Sequence, residues 1–195
     1  MHKPFPYLIH AFDVGGYKEK KNEFIKFVSN ERRKKVGNIR SNRDGWQSDM
    51  GYCQSDDIVS TFIREEVITY IQCCDMLKPD VKGYFKEMWY NINGKGGYNV
   101  MHSHPDSDLS GIFWLNVPKD SGETVFFHPQ AFNCGGEYQW YTKEYRDLYG
   151  LYTHMALQPE EGRMVIFPSY LFHRVERNNN RQDRISCSFN LKFVK

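Results

Sequence analysis

The sequence predicts an α+β fold that is mainly β, a jelly-roll barrel propped by N-terminal helices. Apolar residues recur at helical spacing up to about residue 82, then give way to short β-branched and aromatic runs. Those runs are bounded by clusters of Gly, Pro, Asn and Asp. Short strands with turn signals and no alternating helices close best as an antiparallel barrel or double-sheet jelly roll. At 195 residues the chain suits one packed domain covering 1–195, with no internal repeat.

The supporting part, residues 1–82, reads as mainly helical. From Tyr17 to Val36, Phe24, Phe27 and Val28 share one helical face. From Asp56 to Leu77, the residues Ile58, Phe62, Val67, Ile71 and Cys74 recur every three to five positions. Ser55-Asp56-Asp57 offers an N-cap and Lys78-Pro79 a stop. Trp46 is expected to pack these helices onto the barrel. In the jelly-roll core, 83–195, strands are expected over Tyr84–Asn93, Leu109–Val117, Glu123–His128, Gly162–Pro168 and Arg184–Val194. Gly94-Lys95-Gly96-Gly97 and Asn178-Asn179-Asn180 read as turns between strands. An insertion at about 133–156 departs from the pattern. Between Cys134 and Ala156, Tyr138, Tyr141, Tyr145, Tyr149 and Tyr152 fall at helical steps of three and four. That predicts a short helix packed on the barrel, with a lid over the pocket mouth as the alternative.

Charge and cysteine usage narrow the function classes. Lys plus Arg number 26 against 24 Asp plus Glu, a net charge of +2, which argues against a nucleic-acid partner. The basic run in Glu31-Arg32-Arg33-Lys34-Lys35 reads as a solvated helix end. Five cysteines (Cys53, Cys73, Cys74, Cys134 and Cys187) are an odd number without a C-x-x-C pair. They suggest no disulfide framework, and a reducing cytoplasm suits them. Met1-His2-Lys3-Pro4-Phe5 is followed by no apolar region, so no secretory signal is expected. Stretches such as Gly111–Val117 are too short to span a bilayer.

Among the seven histidines, His102, His104 and His173 carry a pattern. His102-Ser103-His104 puts two imidazoles on one face if the segment is extended. His173 lies far downstream, and two close ligands with one distant ligand are how a β-barrel builds a three-point metal face. Alone, H-x-H marks surface histidines just as readily. Arg184, 11 residues after His173, opens Arg184-Ile185-Ser186. A guanidinium and a hydroxyl on one side of a strand suit a carboxylate, which the planar fork binds through both oxygens. Asn91 could reach the same ligand or flank a turn, Trp114 is a better core residue than pocket residue, and His128 and His154 read as structural.

At this point the chain resembles a known group. Leu109 to Asn116 followed by Ser121-Gly122-Glu123-Thr124-Val125-Phe126 resembles the stretch after the first metal histidine in prolyl-hydroxylase-like 2-oxoglutarate oxygenases. Pro159 to Phe167, His173 and Arg184 resemble that group's C-terminal tail. A subgroup of 2-oxoglutarate/Fe(II)-dependent oxygenases in bacteria and phages is closer still. Its motifs are matched in order by Ser41-Asn42-Arg43-Asp44-Gly45-Trp46-Gln47-Ser48, by His102 to Gly111 and by Phe167 to Asn190. The resemblance runs from about Ser41 to the C-terminus. It implies a double-stranded β-helix of the cupin-like kind, with iron(II) on His102, His104 and His173. Arg184, supported by Ser186, would grip the distal carboxylate of 2-oxoglutarate. The implied reaction uses dioxygen, with ascorbate in support. It couples oxidative decarboxylation of 2-oxoglutarate to succinate with hydroxylation of an unidentified peptidyl side chain, small metabolite or nucleobase.

One departure stands out. The usual proximal motif is His-x-Asp, and alignment on the following strand puts His104 at the carboxylate position. His104-Pro105-Asp106 is itself a literal His-x-Asp, which would make Asp106 a ligand and leave His102 behind it; Asp108 is a third candidate. The subgroup's repeated His-x-His favours His102 and His104. Two other readings stay open: a three-histidine cupin-like dioxygenase that does not use 2-oxoglutarate, and a non-catalytic jelly-roll binding protein.

Overall fold

A computed structural model describes residues 8–131, 136 and 138–195; Cys134 and the Met1–Phe5 stretch lie outside them. The strands are β1 (His10–Asp13), β2 (Asn42–Gln47), β3 (Lys82–His102), β4 (Leu109–Asn116), β5 (Thr124–Phe127), β6 (His154–Leu157), β7 (Arg163–Pro168), β8 (His173–Val175) and β9 (Arg184–Val194). Their order is β1-β7-β4-β9-β3-β8-β5-β6, with β2 laid on β3, and the pairs are antiparallel. The jelly roll predicted from the sequence is the fold found.

The two sheets of the roll are joined by β3. Its first half, Lys82–Asn93, pairs with β9, and its far end, Asn99–His102, pairs with β8. The corner falls at Gly94–Gly97, which reads as a turn in sequence yet lies inside one continuous strand. Glycine is required there by contact and by backbone. A Cβ on Gly97 would sit 2.9 Å from the Asp44 carbonyl oxygen, and Gly96 has φ +88°. β2 bridges the corner, pairing Asn42 and Arg43 with the far half of β3 and Gly45–Gln47 with the near half.

Strand alternation splits the large sheet into two unlike faces. Met88, Tyr90 and Ile92 of β3, Phe113 and Leu115 of β4, Met164 and Ile166 of β7, and Ile185, Cys187, Phe189 and Leu191 of β9 face a helical layer and form the main core. The other face looks into the roll. There Ile112, Trp114, Val165 and Phe167 meet Phe126 of β5 in a second apolar cluster. On β3 and β9 the inward positions are instead polar or aromatic: Trp89, Asn91 and Asn93 opposite Ser188, Ser186 and Arg184.

The helical layer is α1 (Tyr17–Lys34) and α2 (Ile58–Cys73). Phe24 and Val28, one turn apart, are fully buried, and Phe24 meets Phe62 of α2 at 5.1 Å between ring centroids. Asp57 caps α2: its Oδ1 accepts the Val59 and Ser60 amides at 3.0 and 2.9 Å, satisfying two orphan donors of the first turn. The same carboxylate accepts from Tyr90 Oη at 2.9 Å, tying the cap to β3. Trp46 packs in the main core and donates from Nε1 to the Lys35 carbonyl oxygen at 3.1 Å, the helix-to-barrel role expected of it. Residues 1–82 are not helix alone, since β1 and β2 join the sheet.

The run at Glu31–Lys35 is only partly a solvated end. Glu31 is 8% exposed, accepts from Tyr52 Oη and pairs with Lys34 and Lys35. These donors hold its carboxyl below the ordinary range, the Tyr52 hydroxyl foremost. In the insertion, α3 (Lys143–Tyr149) is capped by Thr142 and closed by Gly150 at φ +66°. It buries none of its residues: Tyr141 stacks on Tyr145, both exposed, and Tyr145 meets the half-buried Tyr149 at a tilt of 56°. The spacing predicts a packed face, whereas Tyr141, Tyr145 and Tyr149 cover one another and Tyr138 meets His128, next to β5, at 6.3 Å between ring centroids. Cys53, Cys73, Cys74 and Cys187 are free, and no helix among the described residues is long and apolar enough to cross a membrane.

Candidate metal centre

His102 ends β3, and its Cα partner across the ladder is His173, the first residue of β8. Cross-strand partners in an antiparallel pair bring their side chains together on one face. A bulge aims the first of them: between the pairs Asn99–Val175 and His102–His173, β3 spends three residues where β8 spends two. Asn99 and His102 therefore both line the inner cavity despite their odd separation. His104 lies just beyond the strand, so the pair is not a simple i, i+2 pair on extended chain. Its position comes from its loop. The His104 amide donates to the Ser169 carbonyl oxygen at 2.9 Å, and the Ser169 amide donates to the Asp108 carbonyl oxygen at 3.1 Å. Ser169 Oγ also bonds Ser110 Oγ at 2.8 Å, and Ser110 donates to Asn190 Oδ1 at 2.7 Å. A buried chain of Ser169, Ser110 and Asn190 thus backs the loop that carries His104.

The three rings converge. Centroid separations are 4.4 Å for His102–His173, 5.0 Å for His102–His104 and 5.2 Å for His104–His173. One ring nitrogen from each lies within 4.8 Å of the others. His102 Nδ1 is 2.8 Å from the Val100 carbonyl oxygen and His173 Nδ1 is 3.0 Å from that of Leu171. A carbonyl only accepts, so each Nδ1 carries the proton and each Nε2 keeps its lone pair. Burial holds the imidazoles neutral. It is the main cause lowering His102, it pushes His104 down to about 3 with help from His102, and it takes His173 well below 6.5. Phe167 and Phe126 lie against the His173 ring at 4.9 and 5.8 Å, and Trp89 against His104 at 5.6 Å. Three neutral nitrogen donors in a partly enclosed pocket are what a divalent transition metal requires.

Asp106 stands apart from this group. It is exposed, in a turn at φ +66°. Asp108 is engaged elsewhere: its carboxylate accepts the Phe193 amide at 2.7 Å and Lys192 Nζ at 3.3 Å.

The cavity reaches from the histidines to Arg184, past Asn91, Ser186 and Ser188. Arg184 is 2% exposed, and its Nε and Nη2 have no partner. Burial pulls its pKa down to about 10, which leaves it charged at neutral pH. A buried cation with orphaned donors is costly unless an anion completes it. In its chemistry this donor set, orphaned guanidinium N–H groups at one end and three imidazoles at the other, suits a carboxylate ligand. Asn91, weighed in the sequence, does line the cavity, donating to Ser188 Oγ at 3.1 Å with its Oδ1 unpartnered. Trp114 is instead fully buried in the second apolar cluster. His154 is exposed on β6, beside Phe127, and His128 Nδ1 accepts the Gln130 amide at 3.1 Å. Ser41, Trp89, Asn99 and Ser188 also line the cavity. Sequence reasoning missed them as site residues, because only the β3 corner and the β3–β9 register bring them together.

A larger groove of about 940 Å³ opens beside Tyr98, Arg174, Glu176 and Arg177 and contains none of the three histidines. Two of its charged side chains are engaged within the protein, Arg174 with Glu176 at 2.6 Å and Arg177 over the Tyr98 ring at 4.1 Å. The smaller polar cavity is the better chemical site.

A family model described as "Putative 2OG-Fe(II) oxygenase" matches residues 87–190, just over half of the chain. No curated protein matches the chain by sequence. Similar solved structures include a Pseudomonas putida prolyl-4-hydroxylase, 14% identical, with TM-score 0.63 over 95% of this chain and 92% of that one. A viral collagen prolyl hydroxylase from Paramecium Bursaria Chlorella virus-1, solved as a 2OG complex, is 12% identical, with TM-score 0.61 over 94% of each chain. HygX from Streptomyces hygroscopicus, solved with nickel and 2-oxoglutarate bound, is 10% identical, with TM-score 0.61 over 95% of this chain and 83% of that one. At these identities the likeness is one of fold.

Proposed function

This chain belongs to the 2OG-Fe(II) oxygenase family, and from that premise we propose that His102, His104 and His173 hold its iron while Arg184 and Ser186 hold the distal carboxylate of 2-oxoglutarate. The observation that carries the assignment is the pairing of a three-imidazole cluster with an orphaned buried guanidinium in one cavity. When bound, iron(II) with 2-oxoglutarate and dioxygen supplies oxidative decarboxylation to succinate and carbon dioxide, coupled to oxidation of a substrate C–H bond.

The protein's own share is to position, desolvate and hold protons in place. Val100 and Leu171 carbonyls keep Nδ1 protonated on His102 and His173, which would leave Nε2 of each as the metal donor. Phe126, Phe167 and Trp89 pack against the imidazoles and limit water around them. Arg184 offers Nε–H and Nη2–H side by side to a carboxylate, and Ser186 lies one inward position further along β9. With one carboxylate held there, the co-substrate's other end would be directed toward the histidines that line the same cavity.

Calorimetric titration of 2-oxoglutarate into the Mn(II)-loaded protein tests the assignment. Wild type is expected to bind, and Arg184→Ala to lose at least about tenfold in affinity, since a hydrogen bond to a charged group is worth about 1.5–3 kcal/mol. Equal binding by the two proteins would exclude Arg184 as the carboxylate partner. The substrate class stays with the chemistry such a site can reach, a C–H bond presented beside the histidines.

A further inference from the structure

We propose that residues 32–43 dock the protein on an anionic lipid surface, with Val36 and Ile39 entering the interface and the surrounding cations meeting the headgroups. The inference stands apart from the iron and 2-oxoglutarate assignment. It starts from charge. Arg32, Arg33, Lys34, Lys35, Arg40 and Arg43 fall in a stretch that contains no acid, and all six are exposed. Half of them have an acidic partner: Arg32 pairs with Asp183 at 2.9 Å, and Lys34 and Lys35 share Glu31. Arg33, Arg40 and Arg43 form no ion pair with any described residue. Arg33 reaches only Asn30 Oδ1 at 3.5 Å, and Arg43 donates to the Arg40 and Asn42 carbonyl oxygens at 2.9 and 2.8 Å. Neutral acceptors leave these charges without a counter-ion.

The second observation is what stands among the cations. Val36 is 97% exposed and Ile39 81%, and no other large apolar side chain among the described residues exceeds Val36. Single exposed aliphatic residues are ordinary on a protein surface. Here a braced loop presents two. The Asn38 amide donates to the Gln47 carbonyl oxygen at 2.8 Å, and its Nδ2 donates to Asp49 Oδ1 at 3.0 Å. Asn42 Oδ1 accepts the Arg40 amide at 2.8 Å, while Asn42 Nδ2 donates to the Asn38 carbonyl oxygen at 3.0 Å. Gly37 lies against the Trp46 indole, where a Cβ would come within 2.5 Å of Cδ1. The loop is thus fixed to the barrel, yet both aliphatic side chains stay in water. Apolar groups for the acyl boundary and cations for the headgroups are the two signals that reversible attachment to an anionic bilayer takes. A nucleic acid fits less well, since strand binding uses aromatic faces for base stacking and the apolar side chains exposed here are aliphatic. Ser41, in the same stretch, lines the histidine–Arg184 cavity, so the docked segment adjoins that cavity.

Co-sedimentation of the full chain with vesicles tests this, comparing phosphatidylcholine alone with an equal mixture of phosphatidylcholine and phosphatidylglycerol at low salt. At least about tenfold tighter binding to the anionic vesicles is expected, because each Lys or Arg near such a surface adds about fivefold to affinity. Raised salt should release the protein, since screening removes that contribution. Two paired variants separate the causes. Arg33→Ser with Arg40→Ser is expected to lose most of the preference for anionic vesicles. Val36→Ser with Ile39→Ser should weaken binding to those vesicles at least about tenfold, through the lost apolar burial. None of the four residues lines the cavity, so both variants should melt and bind 2-oxoglutarate with Mn(II) as wild type does. Equal affinity for the two kinds of vesicle, or capture by neither, overturns the inference. So does vesicle binding that the Val36 and Ile39 changes leave untouched, or a gel shift of DNA by a protein that vesicles do not retain.

Discussion

At the scale of single residues, the candidate centre presents three imidazoles that could hold a metal ion and are kept neutral by their surroundings. Burial supplies the neutrality and two backbone carbonyls supply the tautomer. This has a consequence for stability. A histidine whose folded pKa lies below its unfolded value makes the unfolded chain the better proton acceptor. Metal-free protein should therefore lose stability as pH falls below the ordinary 6.5, and keep losing it toward the value of about 3 reached by His104. Each such group adds up to about 1.4 kcal/mol per pH unit across that window. Melting temperatures from pH 8 to 5 check this, with a shallower decline expected for His104→Asn; identical profiles for the two proteins would contradict it. His102, His104 and His173 were legible in sequence because their spacing, the Arg184 that follows and the surrounding motifs point to one chemistry. Trp89, Asn99 and Ser188 were not. A lone aromatic or polar residue on a strand carries no sign of which distant side chain it will face.

At the scale of elements, most of the geometry is made by irregularities in β3. The Gly94–Gly97 corner carries the strand from one sheet to the other, and the bulge after Asn99 turns His102 toward His173. Neither has a pattern readable from composition: a glycine cluster reads as a loop, and a bulge leaves no residue signature here. Strands β1, β2, β6 and β8 were missed for a related reason. β8 is three residues long and β2 reads Asn-Arg-Asp-Gly-Trp-Gln, too short or too polar for a period to register. β4, β7 and β9 were legible, because their apolar runs, buried on both faces over most of their length, stand out between turn residues. On β4, Gly111 lets the Phe189 ring lie against the strand, and a Cβ there would come within 2.1 Å of that ring. Since Phe189 is fully buried, Gly111→Ala should destabilise the protein by about 1–3 kcal/mol, the usual cost of overpacking a core. Chemical denaturation measures it, and an unchanged midpoint would mean that the ring moves aside freely.

At the scale of the whole molecule, one sheet serves two solvents. Its outer face is apolar and rests on α1 and α2, while the inward face of β3 and β9 is lined with Asn, Ser, Trp and Arg. The helical layer is thus what makes a polar interior tolerable: it takes the apolar burial that the cavity side of these strands gives up. The helices and the change of period near residue 82 were readable from the outset, and so was the jelly roll. The direction in which the tyrosines of α3 face was not, since periodicity reports a shared face and not what covers it. The central claim, three histidines for the metal and Arg184 for the co-substrate, is tested most directly by a crystal structure with Mn(II) and 2-oxoglutarate bound. The account predicts a ring nitrogen of His102, His104 and His173 each at about 2.0–2.2 Å from the ion, with the far carboxylate on Arg184. An Asp106 or Asp108 oxygen at that distance in place of His102 or His104, or a co-substrate that does not touch Arg184, would contradict it.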